Sequence, residues 1–118
     1  MFPTLSVVLI QEEGWWVAQA LERDFAAQGR TMERALDELA AAIATRIAWA
    51  QHHNIDPATA VPPAPPYCSQ WYADSKMTVL MDSGRTIRAS FEQTEVVYHP
   101  EFRVRLHERP AVAVGQAA

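Results

Sequence analysis

Histidine and cysteine, the residue types best suited to metal or nucleophilic chemistry, are few and scattered in this chain of 118 residues. His52 and His53 are adjacent, whereas His99 and His107 lie far from them, so no compact zinc-ligand spacing is present. Cys68 follows two prolines and a tyrosine, without a neighbouring base or positive charge to activate its thiol. We expect histidines at helix and strand ends, an inert cysteine, and neither a metal site nor a cofactor.

Carboxylates and glycines give no catalytic pattern either. Glu12 and Glu13 are typical of a solvated turn, and the chain contains no GxSxG, phosphate-binding glycine loop or HExxH motif. A divalent-metal nuclease that depends on Glu22 or Asp24 is the remaining catalytic alternative. The sequence therefore predicts a protein that is not an enzyme and has no catalytic residues.

The composition is typical of one globular domain, with 49% hydrophobic and 20% charged residues. The formal charge of -4 and the single lysine, Lys76, argue against a surface that neutralises many phosphates. The apolar stretch Leu5–Ile10 is too short to span a bilayer, and the N-terminus has no basic segment typical of a signal peptide. With one cysteine and hence no intrachain disulfide, we expect a cytoplasmic protein that does not enter the membrane.

The N-terminal apolar residues must be positioned by a small sheet. Leu5–Gln11 and Trp15–Leu21 predict a β-hairpin with Gly14 in a three-residue loop, and Phe25–Gln28 predicts a third strand. Both faces of the first strand are largely apolar, so this strand is expected in the centre of a sheet or covered on both sides.

A long amphipathic helix follows Gly29, with Thr31 as its N-cap and its end at Gln51–Asn54. Apolar residues recur at three- and four-residue steps and predict the buried face: Ala35, Leu36, Leu39, Ala42, Ile43, Ile47 and Ala50.

The rest of the chain predicts a proline-rich connector at about 57–66, a short helix and further strands. The short helix is expected at Tyr67–Ser75 with Trp71 on its buried side, and Met77–Met81 either extends it or forms a strand. The later strands are predicted at Thr86–Phe91, Glu95–Tyr98 and Phe102–Leu106, with a connection at 82–84. Pro110 is expected to end the single domain at 1–110, before a flexible tail at 111–118.

Trp15 and Trp16 are adjacent on a predicted strand, so they must face opposite sides of the sheet. One can enter the core beneath the helix, and the other must be covered by Tyr67–Ser75 or by a second protein chain. Glu12, Glu13, Trp15 and Trp16 are therefore the candidate partner-binding residues.

The stretch GWWVAQALERDFAAQGRTMERAL, residues 14–36, resembles the HicB-type antitoxin domain. The matching pattern is a hydrophobic strand followed by L-E-x-D and Q-G-x-T, although Ala20, Phe25 and Arg34 depart from common choices in that family. The segment VPPAPPYCSQW, residues 61–71, is similar to the proline-rich join and aromatic short helix of some members.

The resemblance implies an α+β fold, a β-β-β-α-β sheet of partial ribonuclease-H-like type with the long helix packed on it. It also implies a function, the binding and steric masking of a small basic HicA-type toxin that cleaves messenger RNA. The predicted first strand has no carboxylate between Leu5 and Gln11, where that fold commonly holds catalytic magnesium. The predicted strands at 85–106 are not followed by helices, so direct operator DNA binding is not expected.

A second interpretation is a solitary structural domain without a toxin partner. Such a domain would use an exposed strand or tryptophan to form a homodimer or a higher homo-oligomer. The sequence does not decide between these two functions.

Overall fold

The computed structural model describes residues 2, 4–79 and 85–107 of the chain. Within these ranges the elements are β1 (Leu5–Glu12), β2 (Trp15–Ala20), β3 (Ala26–Gly29), α1 (Met32–His52), α2 (Pro66–Asp74), β4 (Met77–Val79), β5 (Ile87–Phe91), β6 (Thr94–Tyr98) and β7 (Phe102–His107). The predicted α+β class is confirmed. The predicted connection at 82–84, the end at Pro110 and the tail at 111–118 lie outside the described residues.

The N-terminal hairpin is confirmed, with a shorter loop than the sequence predicted. β1 and β2 pair antiparallel up to Glu12 and Trp15, which leaves only Glu13 and Gly14 in the loop. Both loop residues have positive φ, 24° at Glu13 and 82° at Gly14. Two-residue loops of this kind match the twist of the flanking strands, and glycine adopts positive φ without steric cost.

The five-stranded sheet has the order β3-β2-β1-β7-β4, so β1 is central, as its two apolar faces predicted. β7 lies parallel to β1, with Val7 opposite Val104. β4 pairs antiparallel with β7 and forms an edge, so the described part of Met77–Met81, residues 77–79, is a strand and does not extend the short helix. The last strand among the described residues therefore lies beside the central strand of the sheet.

Helix α1 begins where the sequence predicted it, because the Thr31 hydroxyl accepts a hydrogen bond from the Arg34 amide at 3.0 Å. Its buried face is wider than predicted. Ala42, predicted to be buried, is exposed, whereas three alanines outside the predicted face are buried. These three are Ala40, Ala44 and Ala48. The predicted stripe was too narrow because α1 is covered by two elements, the five-stranded sheet and the β5–β6 hairpin.

The two faces of β1 are buried by different partners. Leu5, Val7 and Leu9 belong to the core cluster that includes α1, whereas Val8 points to the opposite face because side chains alternate along a strand. Helix α2 packs on that second face against β1 and β7, and buries Cys68. The short helix is thus confirmed, with its proline at the first turn and Trp71 half-buried.

Strands β5 and β6 form a separate two-stranded sheet that packs against α1. Arg85 forms an ion pair with Asp37 near the start of α1. At its end, His52 and Thr94 are hydrogen-bonded at 3.1 Å and the His52 ring lies 5.2 Å from that of Phe91. Asp37 and His52 are about 22 Å apart along α1, and their partners Arg85 and Phe91 are about 20 Å apart along the extended chain that contains β5. β5 therefore runs beside α1 in the same direction.

Candidate partner-binding surface

The turn of the β1–β2 hairpin carries the four residues predicted to bind a partner. Glu12 and Glu13 are exposed, and Trp15 and Trp16 are half-buried. Glu12 pairs with Trp15, and Gln11 with Trp16, across the antiparallel ladder. The structure therefore brings all four residues to one end of the hairpin but divides the two tryptophans between opposite faces of the sheet.

Trp16 packs against the hydrophobic core cluster, on the face of the sheet that α1 covers. It belongs to the core more than to the surface. Trp15 lies on the other face and is covered by a residue that the sequence did not suggest. The guanidinium carbon of Arg30 is 3.8 Å from the centroid of the Trp15 ring. A cation–π contact of this kind contributes roughly 0.5–1 kcal/mol at an exposed site.

The segment that the sequence offered as a cover for Trp15 is elsewhere. Helix α2 lies on β1 and β7, not on β2 and β3. The half of the sheet that carries Trp15 consequently keeps Ala26 and Gln28 exposed on the same face. We use the name hairpin-tip surface for Glu12, Glu13, Trp15 and Arg30.

The position of Arg30 depends on a close approach at Gly29. A Cβ atom at Gly29 would lie 2.7 Å from the backbone nitrogen of Ala35 and 2.8 Å from the carbonyl carbon of Arg34. Glycine is thus needed for the first turn of α1 to pack on the end of β3. This requirement gives a structural reason for the Gln-Gly-Arg-Thr sequence at 28–31.

The open edge of β3 was not predicted from the sequence. Ala20 donates its amide hydrogen to the Phe25 carbonyl, and Gln19 pairs with Ala26, so Ala26 and Gln28 direct their backbone groups away from β2. Among the described residues these outward groups have no hydrogen-bond partner. The signal was present in the sequence, because β3 reads Ala-Ala-Gln-Gly and has none of the charged or proline residues that protect edge strands.

The carboxylates considered for a nuclease have structural partners. Glu22 accepts a hydrogen bond from the Ser6 amide at 2.8 Å, and Asp24 accepts one from the Gln19 side chain at 2.8 Å. Both bonds fix the corner between β2 and β3. Within the ranges that the structure describes, no three His, Cys, Asp or Glu side chains lie close enough together to hold a metal ion.

The other residues with chemical potential are dispersed through the fold. Cys68 lies on the buried face of α2, and burial, with a further contribution from the negative charge of Asp24, raises the pKa of its thiol. His53 caps the end of α1 beside His52, as predicted. His99 contacts Thr86 before β5, and the ring of His107 lies 5.5 Å from that of Trp71. The histidines thus occupy helix and strand ends.

Comparison with protein-family models, with curated proteins and with solved structures finds no match to this chain. Among the described helices, none combines the length and the apolar character that a membrane crossing requires. Any functional conclusion must therefore be drawn from the residues and from their arrangement.

Proposed function

We propose that this protein is a HicB-type antitoxin that binds a small basic HicA-type toxin and sterically masks its RNA-cleaving surface. The antitoxin performs no reaction itself. It acts in the cytoplasm, where the toxin meets messenger RNA. The observation that carries the proposal is the sheet in which β3, β2 and β1 lie side by side and β7 lies parallel to β1, since the family resemblance implies a β-β-β-α-β sheet. In this chain α2, β4, β5 and β6 lie between α1 and β7.

The segment that carries the resemblance also has a defined role in the fold. Residues 14–36 contain the whole of β2 and β3, the Gly29 close approach and the first turn of α1. Ala20, a departure from the family pattern, is fully buried on β2, where a small side chain is accommodated beneath α1. Phe25, another departure, packs against the core cluster and contacts the ring of Phe2. These departures are therefore compatible with the same arrangement.

The hairpin-tip surface is our choice for the toxin contact. Two neighbouring carboxylates on an exposed turn attract a basic partner and speed its association. Trp15 is half-buried and one face of its ring is covered by Arg30, so it offers only the remaining exposed part of an ordered indole, whose burial would slow dissociation. Trp16 contributes indirectly, because its packing on the core fixes the end of β2.

Co-expression with the small open reading frame beside the gene tests the proposal. We expect the two proteins to purify together, and we expect this chain to relieve the growth arrest and the RNA cleavage caused by the neighbour alone. If the neighbour causes arrest, but neither binding nor relief is observed, the antitoxin function is wrong.

A pair of charge-reversal variants tests the surface. Glu12→Lys with Glu13→Lys should weaken binding at least about tenfold, because it replaces attraction by repulsion. The matched control is Glu92→Lys with Glu95→Lys, which makes the same change in net charge on the exposed surface of the β5–β6 hairpin. We expect the control to retain binding. Equal losses in both variants would indicate a general charge effect and would contradict the assignment to the hairpin tip.

A further inference from the structure

Within the part of the chain that the structure describes, the edge of β3 is a short stretch of backbone without a hydrogen-bond partner. At one end the amide of Asp24 donates to the Pro62 carbonyl at 2.7 Å, so the proline-rich connector already closes this position. At the other end the strand stops at Gly29, before α1. Between these limits, Ala26 and Gln28 present donors and acceptors on an exposed strand.

The spacing of the outward groups fits antiparallel pairing with an identical strand. If the two-fold axis passes beside Ala27, Ala26 of one copy lies opposite Gln28 of the other. Each such pair then exchanges both backbone hydrogen bonds. The two Ala27 residues face each other at a Cα separation of about 4.5 Å, which their small side chains permit.

The charges that flank the strand are self-complementary in the same register. Asp24 and Arg30 are both exposed, and the two-fold axis places Arg30 of one copy opposite Asp24 of the other. Both side chains lie on the sheet face away from α1, because Asp24 accepts a hydrogen bond from Gln19 and Arg30 stacks on Trp15, and these two partners point to that face. Pro62 already occupies the backbone position beside Asp24, so the backbone ladder between the two copies ends before Asp24, and Asp24 and Arg30 would meet only through their side chains.

We propose that two copies of this chain pair through their β3 edges, antiparallel and in register about Ala27, to form one continuous sheet. Among the described residues the β5–β6 hairpin also has open edges, but β5 and β6 each carry an exposed charged residue, Arg88 and Glu95. Such charges are a common protection against edge pairing. The inference does not depend on the toxin, since it concerns this chain alone.

Sedimentation velocity and light scattering on the purified chain test the pairing over roughly 1 µM to 1 mM. We expect the mass to rise from 13.2 kDa toward twice that value as the concentration increases. A mass of one chain throughout the range would overturn the proposal, and the masking function would still stand.

Proline substitutions identify the edge. Gln28→Pro removes an amide hydrogen that points away from β2, so it should raise the dimer dissociation constant at least about tenfold while the sheet is retained. Ser90→Pro is the matched control, because Ser90 occupies an outward position of the same kind on β5. Dissociation caused by Ser90→Pro, or a dimer unaffected by Gln28→Pro, would contradict the assignment. Circular dichroism checks that both variants fold.

Charge reversal tests the register without altering the strand backbone. Arg30→Glu should weaken the dimer several-fold, because it would place two carboxylates opposite each other. The double variant Asp24→Arg with Arg30→Glu should restore pairing. It exchanges the charges at the two positions, so opposite charges again meet across the two copies. If the double variant pairs no better than the single one, the proposed register is wrong. This assay remains decisive if the proline variants fail to fold.

Discussion

The two hairpins of this protein have similar turns but are stabilised in different ways. Each has a two-residue loop that begins at a glutamate with positive φ, Glu13 in the first and Glu92 in the second. The β1–β2 hairpin has strand neighbours on both sides, β7 and β3. The β5–β6 hairpin has no third strand among the described residues and depends on α1.

This difference shows how much of a hairpin's stability comes from its surroundings. Isolated two-stranded hairpins are marginal in water, and a hydrophobic face packed on a helix can make them stable. Val96 and Tyr98 supply that face on β6, and their burial joins the second hairpin to the main core. We therefore expect the first hairpin to unfold only with the whole molecule and the second to open locally at a lower free energy.

The largest effect is expected in the first hairpin. Leu9→Ala removes a fully buried side chain from the central strand and should lower the free energy of unfolding by about 3–5 kcal/mol. Urea unfolding followed by circular dichroism measures this change. The matched control in the second hairpin is Val97→Ala on its exposed face, which should cost less than about 0.5 kcal/mol. If the two substitutions lowered the free energy of unfolding equally, the difference inferred between the two hairpins would be wrong.

Local patterns predicted the elements of both hairpins but not their partners. Alternating apolar residues and turn signals located β1, β2, β5 and β6 to within one or two residues, because these signals act over a few neighbouring positions. The parallel pairing of β7 with β1 joins residues 97 positions apart, as in Leu5 and Phe102. Strand periodicity contains no information about which distant strand lies beside which.

The second hairpin was also not predictable as a separate sheet. Its position against α1 depends on a second buried stripe of the helix, formed by Ala40, Ala44 and Ala48. These alanines lie on the same side of α1 as Asp37, at three- and four-residue steps. The spacing of the apolar residues predicted one covered face of α1, and the small alanines did not indicate a second one. At the candidate surface, the sequence predicted that the two tryptophans diverge but not that Arg30 covers Trp15, because a long flexible side chain leaves no periodic signal.

The stability of the second hairpin, but not that of the first, should depend on pH in the alkaline range. Burial on β6, together with the negative charge of Glu101, raises the pKa of Tyr98 to about 12. The unfolded chain loses this proton near pH 10, so the contribution of the neutral phenol to stability is complete below pH 10. This contribution disappears as the pH rises from about 10 to about 12. The free energy of unfolding should then fall by at most about 2–3 kcal/mol.

Denaturant unfolding of the wild type and of Tyr98→Phe at several alkaline pH values tests this expectation. The variant should lose less stability than the wild type between pH 10 and 12, because phenylalanine has no proton to release. The β1–β2 hairpin contains no tyrosine, so its hydrogen-bonded amides should report only global unfolding over the same range. Identical pH slopes for the two proteins would show that Tyr98 does not couple the second hairpin to pH.

The smallest effect concerns the ion pair between Arg85, which precedes β5, and Asp37 of α1. Asp37 and Arg85 are each about one-third exposed, so the pair is screened less than a surface pair but is not deeply buried. Asp37→Asn should cost about 0.5–1 kcal/mol, and the cost should appear mainly in local opening of the β5–β6 hairpin. Amide hydrogen exchange should therefore become about two- to fivefold faster in β5 and β6, with little change in β1 and β2.

Glu38→Gln provides the matched control for Asp37→Asn, because it neutralises the neighbouring acidic residue of α1. Glu38 forms an ion pair with Arg34 at 3.2 Å, but both side chains are largely exposed and lie on the same helix. Its loss should leave hydrogen exchange in both hairpins unchanged, since it removes no contact between elements. Faster exchange throughout the sheet after Asp37→Asn would mean that the two hairpins open as one cooperative unit. In that case α1 transmits the loss to the centre of the sheet, and the independence inferred for the second hairpin is wrong.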